Sequence, residues 1–227
     1  MSSAIVTGAS RGIGRATALA LARRGLDVAL LARTTADLAT VADEVAGLAV
    51  KALPLRCDVT RPDEVSLACE RAVRELGPPA VLVNNAGMIR RGLVQEMSLE
   101  DFRLVLDTNL VGTFLVTRAV LPAMLARNAG RVIQVASISS TLGSARASAY
   151  CAAKWGIIGF TKSLAEELRG TGLATLSILP GSVATTMLEE SGFAPQMSPD
   201  DVARTIVYAA LDAPPAMNGS SIEMFGP

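Results

Sequence analysis

Short apolar runs alternate with helix-period segments from one end of this chain to the other, and few folds accommodate that order. Strand-like runs read at Ser3–Thr7, Asp27–Ala32, Ala52–Arg56, Ala80–Asn84, Arg131–Ser137, Leu173–Leu179 and Ser221–Phe225. Helical patterns fall between them at Gly12–Arg24, Thr35–Ala46, Pro62–Leu76, Leu99–Arg127, Ser148–Arg169 and Pro199–Leu211, with Pro122 expected to bend the long fourth helix late. Strands this apolar need cover on both faces, as in a parallel sheet. Right-handed crossovers then gather every strand's C-terminal end on one edge, where ligands bind. The expectation is an α/β protein: one doubly wound, parallel, seven-stranded sheet with helices on both faces. No linker, repeat or low-complexity stretch interrupts 1–227, so one domain is expected.

Several function classes fall away on composition. The chain has no histidine, which removes Ser-His-Asp and Cys-His catalysis and most zinc hydrolase sites. Acid/base work near neutral pH must then use a tyrosine, lysine, cysteine or carboxylate of shifted pKa. Three irregularly spaced cysteines, Cys57, Cys69 and Cys151, read as small buried thiols rather than disulfides or metal ligands, so no metal is expected. Lysine plus arginine (21) balances aspartate plus glutamate (21) with no basic stripe, which gives nucleic acid no foothold. The start MSSAIVTGAS lacks the pattern of a signal peptide. The richest apolar stretch, Leu110 to Leu125, is broken by Arg118 and Pro122, short of the ~20 residues of a membrane span. A soluble, cytoplasmic protein with no membrane partner is expected.

The first strand runs into Thr7-Gly8-Ala9-Ser10-Arg11-Gly12-Ile13-Gly14, which opens a helix. Glycines there let the backbone approach a pyrophosphate seated over the helix N-terminus. The spacing is G-x-x-x-G-x-G, not the commoner G-x-G-x-x-G, and alone it is weak evidence. The second strand ends Leu31-Ala32-Arg33-Thr34, without the carboxylate that would receive a ribose 2′-hydroxyl. Arg33 and Arg11 instead offer guanidinium donors suited to a 2′-phosphate, which predicts NADP(H). Either arginine could equally be a solvated surface charge. Asp58, in Asp58-Val59-Thr60, is placed to accept from an adenine amino group or to form a turn or helix cap.

Tyr150-Cys151-Ala152-Ala153-Lys154 sets a phenol and an ammonium four residues apart on one helix face. A free phenol, of pKa ~10, is a poor base at neutral pH. A lysine cation within ~4–6 Å, joined by an oxidised nicotinamide, is expected to lower it by ~2–3 units in a shielded cleft.

These residues together resemble the short-chain dehydrogenase/reductase family, over essentially the whole chain and in order. Thr7-Gly8-x-x-x-Gly12-x-Gly14 looks like its cofactor loop, and Asn84-Asn85-Ala86-Gly87 like its Asn-Asn-Ala-Gly motif. Asn109 matches its active-site asparagine, Ser137 its catalytic serine, and Tyr150-x-x-x-Lys154 its signature. Pro180-Gly181-x-Val183-x-Thr185 is similar to the segment lying against the nicotinamide. The resemblance implies a Rossmann-type fold that moves a hydride between NADP(H) and a carbonyl or secondary alcohol substrate. It implies catalysis by Asn109, Ser137, Tyr150 and Lys154. Gly8, Ser10, Arg11, Gly12, Ile13, Gly14, Arg33, Asp58, Val59, Asn85, Ala86, Gly87, Tyr150, Lys154, Val183 and Thr185 would hold the cofactor. In this scheme Tyr150 protonates the carbonyl oxygen, Ser137 orients it, Lys154 holds the ribose and depresses the tyrosine pKa, and Asn109 positions a water. Asn-Ala-Gly followed by Met88-Ile89-Arg90 resembles members labelled 3-oxoacyl-acyl carrier protein reductases, so a 3-oxoacyl thioester is a lead. Arg90 and Arg91 read as surface charges or as contacts for an acidic substrate. The lid, about 186–199, is shorter than in many relatives, with an apolar face from Met187, Leu188, Phe193 and Met197. The family's habit of pairing two long helices implies a homodimer or homotetramer. A catalytically idle NADP(H)-binding sensor on the same fold is the alternative; a methyltransferase on a doubly wound sheet has no need for Tyr-x-x-x-Lys.

Overall fold

The computed structural model describes residues 2–189 and 191–226; Met1, Pro227 and Glu190, which the expected domain and lid include, lie outside the described residues. Seven parallel strands form one sheet in the order β3-β2-β1-β4-β5-β6-β7. They are β1 (Ser3–Thr7), β2 (Asp27–Ala32), β3 (Ala52–Arg56), β4 (Val81–Asn84), β5 (Gly130–Val135), β6 (Leu173–Pro180) and β7 (Ser221–Met224). The helices are α1 (Gly12–Arg23), α2 (Thr35–Ala46), α3 (Pro62–Leu76), α4 (Leu99–Leu106), α5 (Gly112–Arg127), α6 (Ser148–Glu167) and α7 (Pro199–Val207).

Strand residues alternate between two apolar layers because successive side chains point to opposite faces. Ala4 and Val6 of β1, Val28 and Leu30 of β2, and Val81 and Val83 of β4 face the layer that holds α1, α2 and α7. Ile5, Ala29, Leu31 and Leu82 face the layer of α3, α5 and α6. That double burial is why these strands read as continuous apolar runs. β3 is an edge strand, so Pro54 costs it no ladder bond on the open side.

The chain reverses its strand order beside β1, which pairs with β2 on one side and β4 on the other. The loops after β1 and β4 therefore diverge and leave a crevice at the carboxyl edge.

The expected long helix is continuous but not uniformly α. Five residues, Asp107–Val111, form a π turn between α4 and α5, while α5 runs unbroken through Pro122. The Asn109 Nδ2 donates to the Met88 and Val105 carbonyls at 2.7 and 2.8 Å, and the Thr113 hydroxyl donates to the Asn109 carbonyl at 2.8 Å. Side chains thus supply partners inside the widened turn, a common device at functional sites. A second π turn, Tyr208–Asp212, ends the helix expected to run as α to Leu211. β5 stops at Val135, two residues early, because Ser137 turns into a 3₁₀ segment, Ile138–Ser140.

Taken whole, Leu99–Arg127 spans 29 residues with a window of mean hydropathy 1.5, long and apolar enough by length and composition to cross a membrane although Arg118 and Pro122 interrupt it. Its Val105, Leu115, Val116, Val120 and Met124 are buried in the domain, which accounts for that hydropathy. The three cysteines are free; Cys57 and Cys69 are buried, with thiols pushed up to about 12 by burial first, while Cys151 is only half-buried.

A polar link crosses the sheet below the site. The buried Asn84 Nδ2 donates to Thr117 Oγ1 at 2.9 Å and to Gln134 Oε1 at 3.0 Å, joining β4, α5 and β5. Removing one member strands the others, and an unpaired buried polar group costs about 1–3 kcal/mol. Asn84→Ala is expected to lose about 2 kcal/mol in urea unfolding, with an unchanged slope. An Asn84→Ala/Gln134→Ala double mutant should lose about 1 kcal/mol less than the sum of the singles; strict additivity would show that the two side chains do not couple.

Candidate active site

Four strand ends bring the expected residues to one edge. After β1, the Thr7 hydroxyl accepts from the backbone N–H groups of Asn85 (2.9 Å) and Ala86 (3.0 Å) and donates to the Val83 carbonyl (3.4 Å). The Asn85 Nδ2 returns to the carbonyls of Thr7 (3.0 Å) and Gly8 (3.3 Å). These bonds lock the glycine turn to the Asn-Asn-Ala-Gly loop. Gly14 is required there: a Cβ would fall 2.1 Å from the Gly8 carbonyl oxygen and 2.6 Å from Asn85 Nδ2. Arg11 occupies the N-cap of α1 without a side-chain cap, and no acidic residue sits in the first turn, so the helix's free N–H groups are available to an anion. Ser10 is half-buried, Ile13 packs on the core, and Thr185 lies across from Gly12, its Cγ2 3.2 Å from where a Gly12 Cβ would be. Val183 is buried.

Arg11 and Arg33 are both exposed at this edge. Arg15 is engaged by Glu44, and among the described residues no ion pair takes Arg11 or Arg33. Asp58 makes the turn foreseen as one of its roles: its Oδ1 accepts from the Thr60 N–H at 3.0 Å and hydroxyl at 2.8 Å. Burial pushes its carboxyl up, but the Thr60 bonds with Arg33 and Arg56 outweigh that and hold it below the usual range. Glu64, which sequence reasoning missed, fixes the same loop by accepting from the Asp58 N–H at 3.0 Å and from Arg56 at 3.1 Å. The uncapped helix end, the glycine cradle and two unpaired guanidiniums fit a phosphorylated dinucleotide.

On the other side of the crevice, Ser137 is buried, its hydroxyl accepting from the Ser139 N–H at 3.1 Å and lying 3.5 Å from the Pro180 carbonyl. Lys154 is 4% exposed and its Nζ donates to the Val135 carbonyl at 2.8 Å. The same Nζ lies 5.5 Å from the centre of the Tyr150 ring. Asn109 is buried beside it; its Oδ1 has no hydrogen-bond partner among the described residues, and a Cβ placed on Gly87 would fall 2.7 Å from that oxygen and 3.7 Å from Nζ. Asn109, Ser137, Tyr150 and Lys154 therefore meet around Gly87 and the Pro180 end of β6.

The electrostatics differ from expectation in one respect. Desolvation pushes the Tyr150 phenol above its ordinary value, and the Ser137 hydroxyl and Arg91 charge pull it back by less. The protein alone does not make the phenol acidic, because the phenol's own desolvation is the larger effect; burial also lowers the Lys154 ammonium, to about 8. The cation acting on the phenol is Arg91, at most a surface charge or substrate contact from sequence alone. Nothing in the local sequence marks it, since it reaches the site through a loop.

A cleft of about 390 Å³ is lined by residues from three loops, among them Arg91, Phe193 and Arg146, the last in the loop that leads into the helix of Tyr150. The segment over it is tied down at its base, where the Gln196 N–H donates to the Ser182 carbonyl at 2.8 Å and the Ala184 N–H to the Met197 carbonyl at 3.0 Å. Met197 is consequently core rather than part of the segment's apolar face, and Ser198 caps α7.

Comparison with known proteins agrees with this geometry. The family model for short chain dehydrogenases matches residues 2–195. A 3-oxoacyl-[acyl-carrier-protein] reductase of Synechocystis is 39% identical over 219 residues, covering 92% of this chain and 89% of that protein. The 3-oxoacyl-[acyl-carrier-protein] reductase of Escherichia coli is 34% identical over 235 residues, covering 98% and 95%. Among solved structures, a short-chain type dehydrogenase/reductase of Mycobacterium marinum superposes with a TM-score of 0.94 at 35% identity, covering 99% of this chain and 94% of the other. A variant of actinorhodin polyketide ketoreductase solved with NADPH also gives 0.94, at 32% identity, covering 99% and 96%. This chain belongs to the short-chain dehydrogenase family.

Proposed function

We propose that this protein is an NADP(H)-dependent oxidoreductase that reduces a carbonyl group to a secondary alcohol, with a 3-oxoacyl thioester as the leading substrate. The observation that carries the reading is the meeting of Ser137, Tyr150, Lys154 and Asn109 at the same sheet edge as the uncapped glycine turn. Relatives named as 3-oxoacyl-[acyl-carrier-protein] reductases and a ketoreductase solved with NADPH support it.

Gly8, Ser10, Arg11, Gly12, Ile13 and Gly14 would hold the pyrophosphate, and Arg11 with Arg33 the 2′-phosphate. Asp58 and Val59 would flank the adenine. Asn85, Ala86, Gly87, Val183, Thr185, Tyr150 and Lys154 would hold the nicotinamide half. When bound, the dinucleotide supplies the two-electron reducing equivalent and, once oxidised, a positive charge in the cleft.

Tyr150 then donates its phenolic proton to the carbonyl oxygen, and the Ser137 hydroxyl donates a hydrogen bond to the same oxygen. A phenol pushed up by desolvation keeps its proton at neutral pH, which suits an acid in the reducing direction. Lys154 keeps one ammonium proton on Val135 and has others free for ribose hydroxyls. The unpartnered Asn109 Oδ1 is an acceptor able to hold a water between Lys154 and solvent, so the tyrosine can be reprotonated.

The segment 186–199 serves as a short lid over a single 1–227 domain. Exposed Leu104, Val111, Phe114 and Trp155 on the α4–α5 unit and α6 suit a subunit interface, and Tyr208 and Phe225 a second, giving a homodimer or homotetramer. Free thiols at Cys57, Cys69 and Cys151 suit the reducing cytoplasm.

Three outcomes are expected. Tyr150→Phe should bind NADPH within about threefold of wild type yet lose at least roughly 10²-fold in kcat, measured by NADPH oxidation over ketones, aldehydes and β-keto thioesters. NADPH binding without turnover of any carbonyl compound would instead favour the idle sensor. Arg33→Ala should raise the KM for NADPH by about tenfold or more and barely move that for NADH, as loss of a charge-assisted phosphate contact requires.

Lys154→Met tests the cost of the buried ammonium. A shift from 10.5 to about 8 corresponds to roughly 3 kcal/mol of destabilisation in the charged state. The unfolded chain binds more protons than the folded one between those values, so wild-type stability rises relative to the variant as pH climbs through that window. After about 1 kcal/mol for the lost Val135 bond, Lys154→Met should raise Tm by roughly 4–8 °C at pH 7 while abolishing turnover. The gain should shrink between pH 8 and 10.5; a gain independent of pH would mean the ammonium is not the cause.

A further inference from the structure

Arg90 and Arg91 are neighbours with opposite circumstances. Arg90 is exposed and lies 3.5 Å from the Asp101 carboxylate, outside the cleft. Arg91 is half-buried, lines the cleft of about 390 Å³, and its Nε is shielded from solvent without a hydrogen-bond partner among the described residues. A buried donor on a permanent cation is costly to leave unmade, by about 1–3 kcal/mol or more. Such a group is retained where something else supplies its acceptor.

The surroundings say what that acceptor is. Arg146 brings a second guanidinium to the same cleft, Ser144 and Ser191 bring hydroxyls, and Phe193 an apolar wall; among the described residues none that lines it is a carboxylate. The two arginines are held in register by the backbone, the Gly92 N–H donating to the Arg146 carbonyl at 3.0 Å. Arg146 also sits at φ +62°, a conformation costly for a residue with a side chain, two positions before α6 begins. Two cations and two hydroxyls, with no carboxylate among the described lining residues, form a receptor for an anion.

We propose that Arg91 and Arg146 form an anion subsite beside Tyr150, so that the carbonyl compound reduced here carries a carboxylate or phosphate group. This rests on the reductase reading and narrows its substrate class. The Gly143–Arg146 wall of the cleft runs straight into α6, and the Leu142 carbonyl lies 4.0 Å from the Cys151 sulfur, so a group bound there sits at the helix start that carries Tyr150. The same chemistry has two sources: the carboxylate of a free oxo acid, or a phosphate on the arm of a thioester.

The test compares substrate pairs that differ in charge. One pair is acetoacetate and acetoacetamide; the other is acetoacetyl-coenzyme A and the acetoacetyl thioester of N-acetylcysteamine, which lacks phosphate. At least one pair should show a kcat/KM ratio of about 10- to 100-fold in favour of the anion, the worth of a charge-assisted hydrogen bond, and the pair that does so identifies the source. Arg91→Gln should cut that ratio to about threefold or less, and Arg91→Lys should keep part of it. Arg146→Gln, on an exposed side chain, gives an independent variant should Arg91→Gln fold poorly. Ratios near one for both pairs in the wild type, or ratios that survive both glutamine variants, would overturn the proposal. Total absence of turnover would sink the reductase reading but still judge the subsite. Calorimetric titration of both pairs into the NADP-loaded protein should show tighter binding of the anionic member of at least one pair, lost in Arg91→Gln, and equal binding within both pairs overturns the proposal.

Discussion

Parallel pairing of β1 with both β2 and β4 is the constraint on which the rest depends. It sends the chain in opposite directions across the sheet from one strand and opens a crevice at the carboxyl edge. Most polar groups with a proposed role stand on a loop or helix start that this edge delivers; Asn109 reaches it from the π turn within the long Leu99–Arg127 helix. The Thr7 hydroxyl and Asn85 side chain then bond the β1 and β4 loops to each other, so the crevice has fixed walls rather than two independent loops. Rigid walls let catalysis proceed by positioning, since little rearrangement is left to do when a substrate arrives.

Most of the architecture was legible because its physics is local. Five of the seven strands begin where the apolar runs begin, and α2 and α3 span the residues their periodicity marks. Parallel strands buried on both faces cannot hide in a sequence. The π turn at Asp107–Val111 was not legible, because one extra residue in a turn hardly disturbs a 3.6-residue pattern. Ser137 belonged by pattern to β5, yet it leaves the strand to cap a short 3₁₀ turn, a choice made by its own side chain.

The candidate site divides in the same way. Glycines, the Asn-Asn-Ala-Gly loop and the tyrosine–lysine pair were readable because each is contiguous. Thr7 bridging two strands and Arg91 acting on Tyr150 were not, since each acts on residues distant in the chain, and Glu64 was not, since no spacing rule links it to the Asp58 turn it fixes. The direction of the tyrosine shift was also beyond the sequence. Spacing shows that an ammonium and a phenol share a helix face, but the sign depends on which group is more deeply desolvated, and here both suffer.

Two cations act near one phenol: the Lys154 Nζ lies 5.5 Å from the ring centre and the Arg91 charge favours phenolate, as does any cation close enough to it. Burial nevertheless leaves the phenol protonated, the form that reduction requires. An anion seated on Arg91 would cancel the guanidinium's pull and hold that proton more firmly, until the oxidised dinucleotide's charge favours its release. Substrate recognition and acid strength would then be set by the same guanidinium, which gives a physical reason for keeping a costly, unpaired Arg91 in the wall of the cleft rather than a neutral side chain of the same size.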